Sequence, residues 1–470
     1  MNKTRAAFLL AGAFCTNAFA SGLQGQSDPV TAVIFWVSVL LFFGICGRFI
    51  ALKLHQPQVL GELVMGIIIG NLAYYFGLEL ALILREGSSI FTIMRDLMSG
   101  IRLPVAVQNA NFDSSATAAE VLKVLSGMRG VELVKVGYVI DIFSRLGVIF
   151  LLFMVGLESS INELKRTGRE SFLVALIGVI APIVLSLLIS HYLLPTASSN
   201  THLFIAATLC ATSVGITASV LKELKKLRTR EAQIILGAAV ADDILGLIIL
   251  AIVSSIVVSN VVSLSLIGKV FIDALLFFIC SFLLGPFILK KAVVFFKFLD
   301  PWEAKLCIAF LFVMLLSWLA SLVHLAPMIG AFAAGIIIHD GYFKTSDLSI
   351  KDLMGPLEAL LAPLFFVLIG IQVKLEVFMD WHVLYFACGI LIAAVLGKLI
   401  SGFGASRHDD RWLIGVGMLP RGEVGLIFAS IGKTLGVLSE NVFSALILMI
   451  IVTTIIAPSW LKQRYATHES

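Results

Sequence analysis

Long apolar runs separated by short polar breaks follow one another from residue 30 to residue 461, as in VTAVIFWVSVLLFFGICGRFI (30–50) and FLVALIGVIAPIVLSLLIS (172–190). A helix needs about 20 mostly apolar residues to cross a bilayer. Lipid tolerates no unsatisfied backbone, so such runs must be helical. The pattern predicts thirteen spans, at about 30–52, 58–78, 138–157, 171–193, 203–221, 231–257, 264–286, 303–323, 326–340, 355–373, 382–403, 411–432 and 441–461. The expected class is an all-α polytopic membrane protein.

Charge then orients the spans. Cytoplasmic loops are enriched in Lys and Arg. The loops after odd-numbered spans hold Arg48 and Lys53; Lys165, Arg166 and Arg169; KELKKLRTR at 222–230; Lys290, Lys291 and Lys297; Lys344 and Lys351; and Arg407 and Arg411. Lys462 and Arg464 follow the last span, whereas the loops at 194–202, 258–263 and 324–326 carry no Lys or Arg. This places the mature amino terminus outside and the carboxyl terminus in the cytoplasm of a bacterial inner membrane. Residues 1–20 read as a cleavable signal peptide, with Lys3 and Arg5 ahead of AAFLLAGAF and an A-x-A end at Ala18-Phe19-Ala20. The alternative is an uncleaved extra helix.

Residues 79–137 are too polar to span, and their acidic and basic residues balance. Within them TAAEVLKVLSGM predicts a short amphipathic surface helix. This outer insert reads either as a lid or partner site, or as a tolerated insertion. The composition, 59% hydrophobic and 14% charged, bears out the membrane class, and a net charge of +4 gives no sign of nucleic-acid binding. The six cysteines are scattered, with neither metal-ligand nor disulfide spacing.

Ionisable residues inside a span are costly and mark cavities or partners. Asp242 and Asp243 lie side by side in GAAVADDILGLIILAIV, and Lys398 lies in AAVLGKLISGFG. Neighbouring helical residues point about 100° apart, so the two acids meet different partners. One suits a hard cation and the other an ammonium, and their protonation should be coupled. A structural salt bridge beside a wet cavity is the plainer alternative. Lys398 reads equally well as a core residue or as one snorkelling to the cytoplasmic face.

Two spans carry helix breakers. LCATSVGITASVLK (209–222) gathers Thr212, Ser213, Thr217 and Ser219 around Gly215, and GVGMLPRGEVGLIF (415–428) puts Pro420, Arg421, Gly422 and Glu423 mid-span. Pro removes an amide donor and Gly loosens the backbone, so both are expected to be interrupted helices like those of secondary transporters. Packing through small residues is the plainer reading. The two breaks suggest inverted units of spans four to six and eleven to thirteen. Arg421 and Glu423 are expected to neutralise one another and the broken ends. An intramembrane aspartyl protease needs acids from two helices facing across a water, and these acids are neighbours.

The chain resembles the sodium/proton antiporters of the monovalent cation:proton antiporter superfamily, in the branch that also holds potassium efflux systems. The carrying motifs, in order, are QPQVLGELVMGIIIG, LGVIFLLFMVGLESSINELKRTGR, ATSVGITASVLKEL, GAAVADDILGLIILAIV, PLFFVLIGIQV, VLGKLISG and LPRGEVGLIFASIG, spread over about 57–460. The resemblance implies a homodimeric secondary transporter, not an enzyme and with no cofactor, that exchanges Na⁺, and Li⁺ with it, for H⁺. It implies an inverted-repeat fold with two crossed discontinuous helices. The parts are scaffold helices in 21–158 (insert 79–137) and 303–373, core helices in 171–257 and 382–461, and a linker helix in 264–298.

In the family the second acid carries the ion and protons and the first pairs with the lysine. Asp243 and Asp242 take those roles here as ligands of the transported Na⁺, with Lys398 as partner and Thr212 and Ser213 lining the site. Two aspartates with the lysine imply electrogenic sodium exchange by an elevator movement. The runner-up is a K⁺/H⁺ antiporter of the same fold, although potassium efflux members carry Gln at the first acid and a nucleotide-binding domain. The insert and the signal peptide depart from the family pattern.

Overall fold

A computed structural model describes residues 29–469, apart from 55, 111, 113–114, 128, 159–160, 260–263 and 344–347. The expected signal peptide lies outside the described residues. Everything described is helix or connection, as lipid demands of a chain this apolar. The helices are α1 (Pro29–Lys53), α2 (Gln58–Tyr75), α3 (Glu79–Arg85), α4 (Gly87–Met98), α5 (Leu103–Asn109), α6 (Ser115–Leu125), α7 (Gly130–Glu158), α8 (Ile161–Leu193), α9 (Ser199–Cys210), α10 (Val214–Glu223) and α11 (Arg230–Ser259). They continue as α12 (Leu264–Phe295), α13 (Pro301–Leu322), α14 (Pro327–Ile337), α15 (Ile350–Ile371), α16 (Trp381–Ser401), α17 (Arg411–Gly417), α18 (Glu423–Thr434) and α19 (Glu440–Glu469).

Among the described residues ten helices are long and apolar enough to cross a membrane, and α14 is a shorter apolar one. The two remaining predicted spans are the ones carrying breakers, and each is split in two: α9 with α10, and α17 with α18. The thirteen expected passes are therefore all accounted for, and the chain is a multi-pass membrane protein. In α8 the backbone turns at Gly168, whose φ of +46° and ψ of −111° separate a short leading segment from the spanning part.

Two sets of helices pack mainly among themselves. In one, α8 lies against α9, α11 and α16, while α19 packs on α16 and α18. In the other, α7 lies against α14 and α15, α2 against α1 and α15, and α13 against α14. Glycine permits the closest approaches. A Cβ on Gly397 of α16 would sit 2.7 Å from the Cα of Pro182 in α8, so these helices touch backbone to backbone beside Lys398.

The insert is a folded unit. Helices α3 to α6 surround their own core of Leu82, Ile83, Ile90, Ile93, Met94, Ala106, Val107 and Val121. The amphipathic helix expected around TAAEVLKVLSGM is α6. The expected boundary at 137 needs correction, since residues 130–137 form the first two turns of α7. They are polar enough to leave the bilayer, but nothing in them breaks a helix.

Ion pairs gather at the end of the bundle that the Lys and Arg pattern assigns to the cytoplasm. Arg230 meets Glu170 at 2.9 Å and Asp409 at 2.8 Å, Arg464 meets Asp410 at 3.0 Å, and Arg48 meets Glu62 at 2.7 Å.

Candidate functional site

The site forms where α11 passes the two broken helices. The first break covers 211–213 and the second 418–422. They are tied backbone to backbone: the Ser213 amide donates to the Pro420 carbonyl at 2.8 Å. Each broken end is then met by a side chain of matching polarity. The carboxyl end of α9 is faced by Arg421, whose Nε donates to the Leu209 carbonyl at 3.1 Å and whose Nη2 donates to the same oxygen. A cation there answers the negative end of the helix dipole. At the carboxyl end of α17, Thr217 Oγ1 donates to the Gly417 carbonyl at 2.7 Å and Thr212 Oγ1 to the Met418 carbonyl at 3.4 Å. Proline at 420 supplies no amide, so its place in the gap leaves no orphan donor.

Gly215 lies in the first turn of α10, immediately past the break. One expectation is corrected here. Arg421 and Glu423 do not pair. Glu423 opens α18 and accepts from Ser213 Oγ at 2.8 Å, while Arg421 serves α9. Gly422, at φ −124° and ψ −121°, turns the chain between them and sends the side chains apart. It also sets the fit, since a Cβ at this position would come within 3.0 Å of Ser213 Oγ.

The acids behave as their angular separation requires. Asp242 faces Lys398, whose Nζ donates to Oδ1 at 3.1 Å and Oδ2 at 3.2 Å. Lys398 is 0% exposed, which rules out snorkelling. Gly178 of α8 lies against the same stretch of α16, where a Cβ would sit 3.2 Å from Ser401 Cβ and in ordinary contact, 3.7 Å, with Lys398 Nζ. Asp243 is 3% exposed, and neither carboxylate oxygen has a hydrogen-bond partner. The charges it feels are those of Asp242, Glu423 and Lys398. A buried carboxylate without partners is costly, and it persists where a proton or a cation completes it.

Thr212, Ser213, Asp242, Asp243, Lys398, Arg421 and Glu423 are thus brought to one crossing, all buried. Sequence reasoning missed that Glu423 reaches across to Ser213 at the first break. It also missed Thr454 of α19, whose hydroxyl donates to the Arg421 carbonyl. Glu423 had a usable signal, an acid in the first turn after a break; Thr454, one of two adjacent threonines in an apolar run, had none. Among the described residues no group of three or more His, Cys, Asp or Glu is arranged to hold a resident metal.

Comparison with known proteins agrees with this geometry. The family model described as "Sodium/hydrogen exchanger, transmembrane" matches residues 37–464. The high-affinity Na⁺/H⁺ antiporter NhaS3 of Synechocystis sp. is 35% identical over 440 residues, covering 92% of this chain and 90% of that one. The Na⁺/H⁺-K⁺ antiporter GerN of Bacillus cereus is 35% identical over 339 residues, 69% of this chain and 83% of that one. In fold, the chain is similar to the sodium proton antiporter MjNhaP1 of Methanocaldococcus jannaschii, with a TM-score of 0.61 at 18% identity over 93% of this chain and 98% of that one. With paired breaks, a lysine-neutralised acid and an unpartnered second acid all in place, the chain belongs to the sodium/hydrogen exchanger family.

Proposed function

We propose that the protein is a secondary active antiporter that exchanges Na⁺, and Li⁺ with it, for H⁺ across the bacterial cytoplasmic membrane. The observation that carries this reading is Asp243, a buried carboxylate with both oxygens unpartnered. Na⁺ and H⁺ compete for that one charge, so binding either expels the other. Ser213, Thr212 and Glu423 supply further oxygens around the cation. Asp242 and Lys398 form the electrostatic partner that makes the cycle electrogenic, moving more protons than cations. Relatives whose names specify Na⁺/H⁺ antiport support sodium as the cation.

The cycle is alternating access of the elevator type. Helices α8–α11 and α16–α19 form the moving core, and α1, α2, α7 and α13–α15 the scaffold, with α12 linking them. Two copies pair through their scaffolds, with the mature amino terminus outside and the carboxyl terminus inside. A second reading, K⁺/H⁺ exchange at the same site, is favoured by relatives whose names include K⁺.

Purified protein in liposomes holding a pH-sensitive dye distinguishes the two. Addition of Na⁺ or Li⁺ is expected to dissipate an imposed proton gradient, with K⁺ far weaker. A response to K⁺ alone would reject sodium, and no cation response at all would reject antiport.

A further inference from the structure

The residues named at the crossing of the broken helices all come from outside the insert, yet the insert is bolted to the bundle through buried charges. Arg85 and Glu86, where α3 meets α4, are 2% and 4% exposed. Arg85 Nη2 lies 2.6 Å from Glu376 Oε1 and donates to Asn71 Oδ1 at 3.1 Å, and its guanidinium sits 4.1 Å from the Tyr74 ring centre. These contacts fasten the insert to α2 and to the segment after α15.

A chain of charges then continues across the bundle. Glu86 Oε1 is 2.6 Å from Lys374 Nζ, and the same ammonium is 3.6 Å from Glu440 Oε1. Lys433 Nζ lies 3.1 Å from Glu440 Oε2 and donates to the Gln372 carbonyl at 3.3 Å. Gln372 and Lys374 follow α15, in the set of helices assigned to the scaffold. Lys433 ends α18 and Glu440 opens α19, both in the set assigned to the core. Beside this chain lies a cavity of about 400 Å³ lined by Ser89 of α4, by Ala197 and Thr201 of the core and by the α18–α19 turn.

The mechanical coupling is direct. Lys433 lies ten residues beyond Glu423 on α18, so the half-helix links the latched end to the ion site as a rod about 15 Å long. A shift of the core by several ångströms carries Lys433 and Glu440 out of reach of Gln372 and Lys374. We propose that the insert and segment 372–376 form an outer latch, closed through Glu86, Lys374, Glu440 and Lys433, which must release before the core can move. The latch rests on the alternating-access reading.

The test links Ser89→Cys to Ala197→Cys, both on the lining of this cavity, with membrane-impermeant, reducible bis-thiosulfonates of graded length. Native cysteines stay, and each single variant serves as a control. The parent protein must first exchange Na⁺ for H⁺; if it does not, the antiport reading falls and takes the latch with it. Should only the double variant be inactive before linking, the Lys374→Ala arm below decides the latch. The linked protein is expected to stop exchanging and to recover on reduction, while the single variants treated with the reagent continue. Undiminished exchange by fully linked protein overturns the latch and leaves antiport standing. Lys374→Ala is an independent arm, since it leaves Glu86 and Glu440 facing each other without the ammonium between them. Labelling of Ser89→Cys by an impermeant maleimide is expected to quicken several-fold in that background, and an unchanged rate overturns the proposal.

Discussion

Replacing Asp243 with Asn tests the central claim because the side chain keeps its size and loses only its charge. A hard cation sits about 2.5 Å from its oxygen ligands. At an effective dielectric constant of about 20, a unit charge at that distance contributes about 332/(20 × 2.5), or about 7 kcal/mol. The amide oxygen of Asn still coordinates, so a loss of about 3 kcal/mol is a conservative figure. That weakens Na⁺ binding at least about a hundred-fold, at 1.4 kcal/mol per factor of ten. An amide does not titrate either, so the proton half of the cycle disappears with the sodium half. The substitution also removes a buried charge whose two oxygens have no hydrogen-bond partner. The protein should therefore insert normally, with a melting temperature no lower than the parent's. Proteoliposome dye recovery and calorimetric Na⁺ titration are the assays. Sodium-driven proton movement persisting in Asp243→Asn would refute the assignment, as would Na⁺ binding to the parent protein that releases no protons.

The neighbouring acid should behave in the opposite way. Asp242→Asn leaves the Lys398 ammonium, now 3.1 Å from its partner, as an uncompensated buried charge, a change that costs about 3–5 kcal/mol. Thermal unfolding in detergent should show that loss, with most of it recovered in the double variant with Lys398→Met; an unchanged melting temperature in the single variant contradicts the pairing. Surviving Asp242→Asn protein should exchange without net charge movement or more weakly, which currents on a solid-supported membrane would read. Arg421→Ala exposes the Leu209 carbonyl at the end of α9, and the unsatisfied group costs about 1–3 kcal/mol along with a loss of exchange. Stability and flux both equal to the parent's would show that the arginine holds nothing. Competition for Asp243 also sets a pH dependence: below the site's titration, the Na⁺ concentration at half-maximal exchange should rise about ten-fold per pH unit for each proton displaced. A flat profile means that Na⁺ and H⁺ bind separately.

Much of this was written into the order of residues. Apolar runs of spanning length leave the backbone one solution in lipid, so the class, the positions of the passes and the two interrupted ones follow from composition and from Pro and Gly placement. Asp242, Asp243 and Lys398 stood out for the same reason, because charge in such runs is too costly to be incidental. Adjacency on one helix was enough to say that the two acids must face different ways, and Lys398 lies on Asp242 alone. What the sequence could not determine was who meets whom across helices. Arg421 and Glu423 are two residues apart and formally complementary, yet one serves Leu209 and the other Ser213, because Gly422 turns the backbone between them. The helix 130–137, the donor role of Thr454, and the buried charges joining Glu86 to Lys433 through Lys374 and Glu440 were likewise invisible. Local pattern reports what the solvent requires of each segment; partnership between distant segments depends on how the helices pack, and only the tertiary structure decides that.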